Sequence, residues 1–176
     1  MRPMLCTARA RYALEGNIAA YLRAITDQWL LVAPEANPAM LAMFADRDRK
    51  PYRNMVPWAG EFAGKYLTSA VQVLRLTGDR RLKKYIGPFV EHLLRLQDED
   101  GYLGPWPKNS RLTGMAPNVN GKKGQTWDAW GHYHIMLGLL LWHEESGNGQ
   151  ALRCAERMAD LFCKKFLGKK RRRLVD

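Results

Sequence analysis

The chain has 176 residues, the size of one domain, and 47% apolar composition, ordinary for a globular protein that buries a core. Its net charge of +11 is unevenly spread: the last thirteen residues, KKFLGKKRRRLVD, hold seven of the 28 Lys and Arg and one of the 17 acids, which leaves 21 bases and 16 acids elsewhere. Most of the excess is a basic tail rather than a basic face interleaved with aromatics, so nucleic-acid binding is not expected.

In chain order, the start MRPMLCTARARYALEGN is basic but lacks the uninterrupted apolar core of a secretion signal, which points to a cytoplasmic setting. Helical periodicity runs over 10–31, 36–46, 60–77, 80–97, 128–146 and 150–167. Turn residues separate the runs: Pro34 and Pro38, Pro51 to Pro57, Gly78-Asp79, Gly101 to Pro107, and Gly147-Asn148-Gly149. No run shows sustained β alternation between hairpin turns, so the reading is all-α. Run 82–96 is amphipathic through Leu82, Tyr85, Ile86, Phe89, Val90, Leu93 and Leu94, and Gly87-Pro88 is expected to kink it or reset its start. Segment 133–142, YHIMLGLLLW, is apolar nearly all round and is expected to be covered on most sides. Segment 150–166 is amphipathic again, with Leu152, Ala155, Met158, Ala159, Phe162 and Phe166 on one face. It carries Cys154 and Cys163, which with Cys6 make an odd count without close spacing. Neither a disulfide framework nor a zinc site follows from them, and no metal ligand is assigned. No stretch of about 18 apolar residues is present, so no membrane span is expected.

The buried-then-surface order of helices repeats. Trp58 precedes Gly78 by twenty residues in WAGEFAGKYLTSAVQVLRLTGDRRL, and Trp127 precedes Gly147 by twenty in WDAWGHYHIMLGLLLWHEESGNGQAL. The offset of 69 residues suits a helical hairpin plus a long loop. Inner and outer helices alternating in repeated hairpins describe an α/α toroid, and six helices are about half of an (α/α)6 toroid. Residues 1–167 are expected to form this partial barrel, and 168–176 a disordered basic tail. An open barrel flank would expose apolar surface, and self-association through it is an expected consequence.

Loop 97–130 is the longest connection and too long for a mere link. It opens QDEDGYLGPW, which places Asp98, Glu99 and Asp100 at the negative end of a helix dipole, where bases are preferred. Its polar middle, Lys108 to Gln125, reads as mobile. Its ends gather Tyr102, Trp106, Trp127 and Trp130 with Asp98, Glu99, Asp100 and Asp128, next to His132, Tyr133 and His134. Rings that pack on the C–H face of a sugar, with acids and imidazoles for its hydroxyls, make a carbohydrate site. Plainer readings stand beside it. Trp58 and Trp127 would equally cap the inner helices, Asp100-Gly101 would equally be a solvated turn, and Glu61 is favourable in a first helical turn without any function.

WAGEFAGKYLTSAVQVLRLTGDRRL, QDEDGYLG and WDAWGHYHIMLGLLLWHEESGNGQALRCAERMADL together resemble the N-terminal half of the catalytic domain of β-L-arabinofuranosidase-type glycoside hydrolases, from about Pro57 to Phe166. The QDEDGYLG turn by itself also resembles the repeat of terpene cyclases. That reading would need an Asp-rich motif and further copies of the turn, and a single copy is found. The glycosidase resemblance implies an (α/α)6 barrel, hydrolysis of furanosidic links and a carbohydrate partner. It implies a zinc-bound cysteine nucleophile and a glutamate acid/base in the family's second half. No segment here matches that motif, so no catalytic residue and no cofactor is carried over to this chain. The substrate-side residues it implies are Trp58, Glu61, Asp100, Tyr102, Trp127, Asp128, His132, Tyr133 and His134. After Phe166 the sequence LGKKRRRLVD leaves the family pattern, and a truncated or frameshifted product, inert alone, is the expectation. A non-catalytic helical glycan-binding or scaffold module is the alternative.

Overall fold

A computed structural model of the protein describes residues 12–167. The basic tail, Cys6 and the first residues of the expected 10–31 helix lie outside the described residues. Helix α1, Gly16–Ile25, continues through a π turn, Thr26–Leu30. Two short helices follow, α2 at Ala33–Ala36 and α3 at Ala39–Ala45. A single 3-10 turn at Ala59–Glu61 leads into α4, Phe62–Thr77, and then comes α5, Arg80–Arg95. After the long loop come α6, Asp128–Ser146, and α7, Gly149–Phe166. The helical boundaries read from periodicity hold to within a few residues from position 33 onward.

Helices α4 and α6 pack side by side as the inner pair, with α5 laid on α4 and α7 on α6. The core between them is built from Tyr66, Leu67, Ala70, Val71 and Leu74 of α4, Ile135 and Leu139 of α6, Leu82, Ile86 and Leu93 of α5, and Ala151 and Met158 of α7. The inner pair touches so closely because Gly64 has no side chain: a Cβ there would stand 2.3 Å from the backbone carbonyl carbon of His134 and 2.4 Å from the nitrogen of Ile135. Both hairpins turn by one device. Gly78 and Gly147 end α4 and α6 with φ of +65° and +74°. The next residue, Asp79 or Asn148, then caps the outer helix by accepting two backbone N–H bonds.

The two inner helices run parallel and in register. Trp58 packs on Trp127, Trp130 donates its indole N–H to Glu61, and Arg75 pairs with Glu144 at 2.9 Å. Each of these pairs joins residues 69 apart, the period of the sequence repeat. Contacts at both ends of the helices therefore link equivalent positions.

Helix α5 runs through Gly87-Pro88, so of the two expected outcomes there its start is not reset. Pro88 and Lys84 are exposed, a setting in which the bond that Pro88 cannot donate to the Lys84 carbonyl costs least. Helix α6 is covered on most sides, as its apolar run implies, and within 133–142 Tyr133 and Leu140 stay exposed. The loop is not structureless. It holds a two-stranded antiparallel hairpin, β1 at Met115–Val119 and β2 at Lys122–Gln125, with Ala116 opposite Gly124. Asn120-Gly121 makes its turn, both with positive φ of +51° and +82°. Met55 adds to its edge, and Trp106, Ala116 and Val119 form a small core beneath it.

Candidate functional site

The residues singled out in the sequence fall into two groups that the fold keeps apart. One group faces outward at the N-terminal ends of α4 and α6. Trp58 and Trp127 pack at 5.5 Å between ring centroids with planes tilted by 49°. Trp130 stacks on Tyr133 at 5.5 Å and 27°, and meets His134 edge-on at 4.6 Å. Trp127 is 52% exposed and Tyr133 49%, so each meets water beside its ring partner. Set into this aromatic surface is the buried Glu61. It lies in the 3-10 turn where the chain enters α4, and it accepts from the Trp130 indole and from Lys65 Nζ at 2.6 Å. The carboxylate is fixed from two sides by donors.

His134 adjoins this group. Burial lowers its pKa first, and the Lys65 ammonium lowers it further against the opposing pull of Glu61. Its Nε2 is buried without a hydrogen-bond partner among the described residues. The imidazole is therefore held neutral at neutral pH. The linkage sign follows from a pKa lower in the folded state than in the unfolded chain, whose ordinary value is 6.5. Below that value the unfolded state binds the extra proton, so stability is full above it and declines as pH falls below it. Between pH 7.5 and 5.5 the parent is expected to lose more of its urea midpoint than His134→Gln. Equal losses would contradict the neutral, desolvated imidazole.

The second group is interior. Tyr102 and His132 are 0% exposed and Asp128 is buried. The Tyr102 hydroxyl lies 3.0 Å from both Asp128 carboxylate oxygens and accepts the Trp106 N–H at 3.2 Å. Asp128 also accepts the Leu112 N–H at 2.7 Å. His132 Nδ1 lies 2.8 Å from the Asp128 carbonyl oxygen, and its Nε2 accepts the Leu103 N–H at 3.4 Å. That pairing assigns the Nδ1–H neutral tautomer. Burial, then the charge of Asp128, pushes the Tyr102 hydroxyl far above the ordinary phenol range. Tyr102, Trp106, Asp128 and His132 thus lie inside, where they tie the long loop to the start of α6.

The placement of the three acids in a last helical turn is corrected. Helix α5 ends at Arg95, so Asp98, Glu99 and Asp100 follow the helix instead of forming its last turn. Arg47 donates to the Leu96 carbonyl at 2.9 Å and supplies the positive charge a helix C-terminus prefers. The nearly buried Arg111 pairs with Asp98 at 2.6 Å and with Asp48 and Asp100 at 3.2 Å, and it lies over the Tyr102 ring at 4.6 Å. Its hydrogen bond holds the Asp98 carboxyl below the usual carboxylate range. Asp100 Oδ1 accepts the Tyr102 N–H at 2.9 Å, the bond of a tight turn. Asp98 and Asp100, with Asp48, are the counter-charges of a loop clasp centred on Arg111.

The fold thus brings together Trp58, Glu61, Trp127, Tyr133 and His134, and separates them from Asp100, Tyr102, Asp128 and His132. It adds Lys65 and gives Trp130 a polar partner. The 69-residue offset could have found both, since it aligns Trp130 with Glu61 and His134 with Lys65.

A family model described as the β-L-arabinofuranosidase GH127 catalytic domain matches residues 15–175. Among solved structures, the chain is similar to a GH127 β-L-arabinofuranosidase from Geobacillus stearothermophilus T6, with a TM-score of 0.68 and 16% identity over 90% of this chain and 26% of that one. It is also similar to the GH127 β-arabinofuranosidase BT3674, with a TM-score of 0.69 and 15% identity over 92% of this chain and 27% of that one. The chain spans about a quarter of the length of each. No curated protein sequence matches it.

Proposed function

This chain belongs to the GH127 β-L-arabinofuranosidase catalytic-domain family, and from that premise we propose that it supplies the sugar-contacting wall of a glycoside hydrolase acting on furanosides. The observation that carries the reading is the buried Glu61 carboxylate framed by open aromatic rings where α4 and α6 begin together. The Trp130–Tyr133 and Trp58–Trp127 pairs offer flat apolar faces for sugar C–H groups. Glu61, Lys65 and His134 offer an acceptor, a donor and a neutral imidazole for hydroxyls beside them. In this assignment these groups bind and orient the sugar, and none of them reacts with it.

The zinc-bound cysteine implied by the sequence resemblance does not fit the described residues. Cys154 is buried between α5 and α7, and burial pushes its thiol up to about 12, the opposite of a metal-bound thiolate. Cys163 is exposed, and no described cluster of three His, Cys, Asp or Glu side chains suits a metal. No catalytic step is assigned to this chain, and alone it is inert in our reading.

Two measurements test this. Methyl β-L-arabinofuranoside is expected to bind the chain in calorimetry. Trp130→Ala and Glu61→Gln are each expected to weaken that binding by about tenfold, the loss of a ring stack or of a charged hydrogen bond. A glycosidase assay on aryl arabinofuranosides is expected to show no turnover. Robust metal-dependent turnover would overturn the inert assignment, and unchanged binding by both variants would overturn the sugar wall.

A further inference from the structure

A hollow beside the sugar wall lies between α2–α3 and the inner helices and has a volume of about 690 Å³, within the range of ligand cavities. Its surface is mainly apolar. Trp29, Val32, Met40, Phe62 and Leu137 line it, and Tyr66 adds a ring whose hydroxyl is already donated to the Leu30 carbonyl at 2.8 Å. Trp29 and Val32 are half-exposed, so much of this apolar surface meets water. Polar groups include Lys65, His134 and Thr68. Lys65 is the residue bonded to Glu61, and His134 is the residue edge-on to Trp130. Cavity and sugar wall therefore share two residues and are continuous. The Nε2 of His134 and the Oγ1 of Thr68 are buried with no hydrogen-bond partner among the described residues.

An apolar hollow with unpartnered polar atoms, continuous with a sugar-binding surface, suits a molecule that is half sugar and half apolar ring. We propose that this cavity is an aglycone pocket: it receives a flat aromatic group whose glycosidic oxygen lies at the Lys65–His134 edge, while the sugar rests against Glu61 and Trp130. The substrate class is then glycosides of aromatic alcohols rather than polysaccharide chains, whose next unit would set hydroxyls against Trp29, Val32 and Met40 and lose hydration without recompense. The inference rests on the sugar-wall reading above. The other large hollow, about 780 Å³ between α2–α3 and α5, reaches the rim charges Arg81, Lys84 and His92 and touches neither Lys65 nor His134.

The test is calorimetry on the full chain with methyl β-L-arabinofuranoside, 2-naphthyl β-L-arabinofuranoside and 2-naphthol. The naphthyl glycoside is expected to bind on the order of tenfold tighter than the methyl glycoside, from burial of ring surface. Ala36→Trp, at an exposed position of α2 lining the cavity, should abolish that gain and leave methyl glycoside binding unchanged. Val32→Glu, at a second exposed wall position, should do the same by placing a charge against the ring. Equal affinity for the two glycosides, or a gain untouched by both variants, overturns the pocket while the sugar wall stands. Binding of 2-naphthol with neither glycoside bound overturns the sugar wall, and with it the joined site.

Discussion

Replacing Gly64 by alanine is expected to destabilise the chain by about 3 kcal/mol, at the upper end of overpacking effects, and to lower its melting temperature by roughly 6–12 °C. The new methyl would be placed 2.3–2.6 Å from backbone atoms of His134 and Ile135, which cannot rotate away as a side chain would. The helices must separate along their length. Leu67 on α4 and Gly138 on α6, also in close approach, would lose contact with the same movement. So would the ring and carboxylate pairs at the helix starts, and Gly64→Ala should weaken sugar binding as well as stability. Gly87→Ala is the matched control. A Cβ there meets nothing within 4 Å, and in the middle of α5 the change should be neutral or stabilising by about 0.5 kcal/mol. Thermal unfolding followed by circular dichroism reads both. Equal melting temperatures for the two variants would mean that the inner helices do not meet at Gly64.

Asp128→Ala is expected to cost a similar amount, about 3–4 kcal/mol, by another route. It leaves the Tyr102 hydroxyl and the Leu112 N–H buried without their acceptor, each at about 1–3 kcal/mol. Trp106 bonds the Tyr102 hydroxyl and His132 Nδ1 lies 3.3 Å from the Asp128 carboxylate, so the loss spreads along the loop instead of staying at position 128. Asp128→Asn keeps one acceptor oxygen and should cost less. Urea unfolding gives the magnitudes. Limited proteolysis locates the damage: cleavage should move into 97–127 while the helical hairpins stay protected. An alanine variant as stable and as protease-resistant as the parent would refute the buried anchor.

Much of the helical frame was legible because burial follows a period the chain repeats. Leu82, Ile86, Phe89 and Leu93 face inward at helical spacing, and Gly78-Asp79 and Gly147-Asn148 announce the turns by conformation and capping. The hairpin carried an equally local sign, Asn120-Gly121, but its strands lack alternating apolar residues and rest on Met55, far away in sequence. The candidate site was legible only in its residue types. The aromatic residues and Glu61 stood out by type, but type does not separate an open ring from a buried one. Tyr102 and Trp127 look alike in the sequence and differ completely in exposure. The charge at 98–100 misled for the same reason: its partners, Arg47 and Arg111, approach from 51 residues before Asp98 and 13 after it. Pairing between distant segments is a property of the fold, not of any window of sequence.

The register of the inner helices has a consequence for descent. If the two hairpins arose by duplication, their equivalent positions did not become independent, because they came to lie against each other. A carboxylate at 61 answers an indole at 130, and an arginine at 75 answers a glutamate at 144. Identical copies would have set like beside like, two acids or two arginines in contact. Divergence at one copy was therefore constrained by its twin, and asymmetry between the copies is the form in which a self-facing duplication becomes stable.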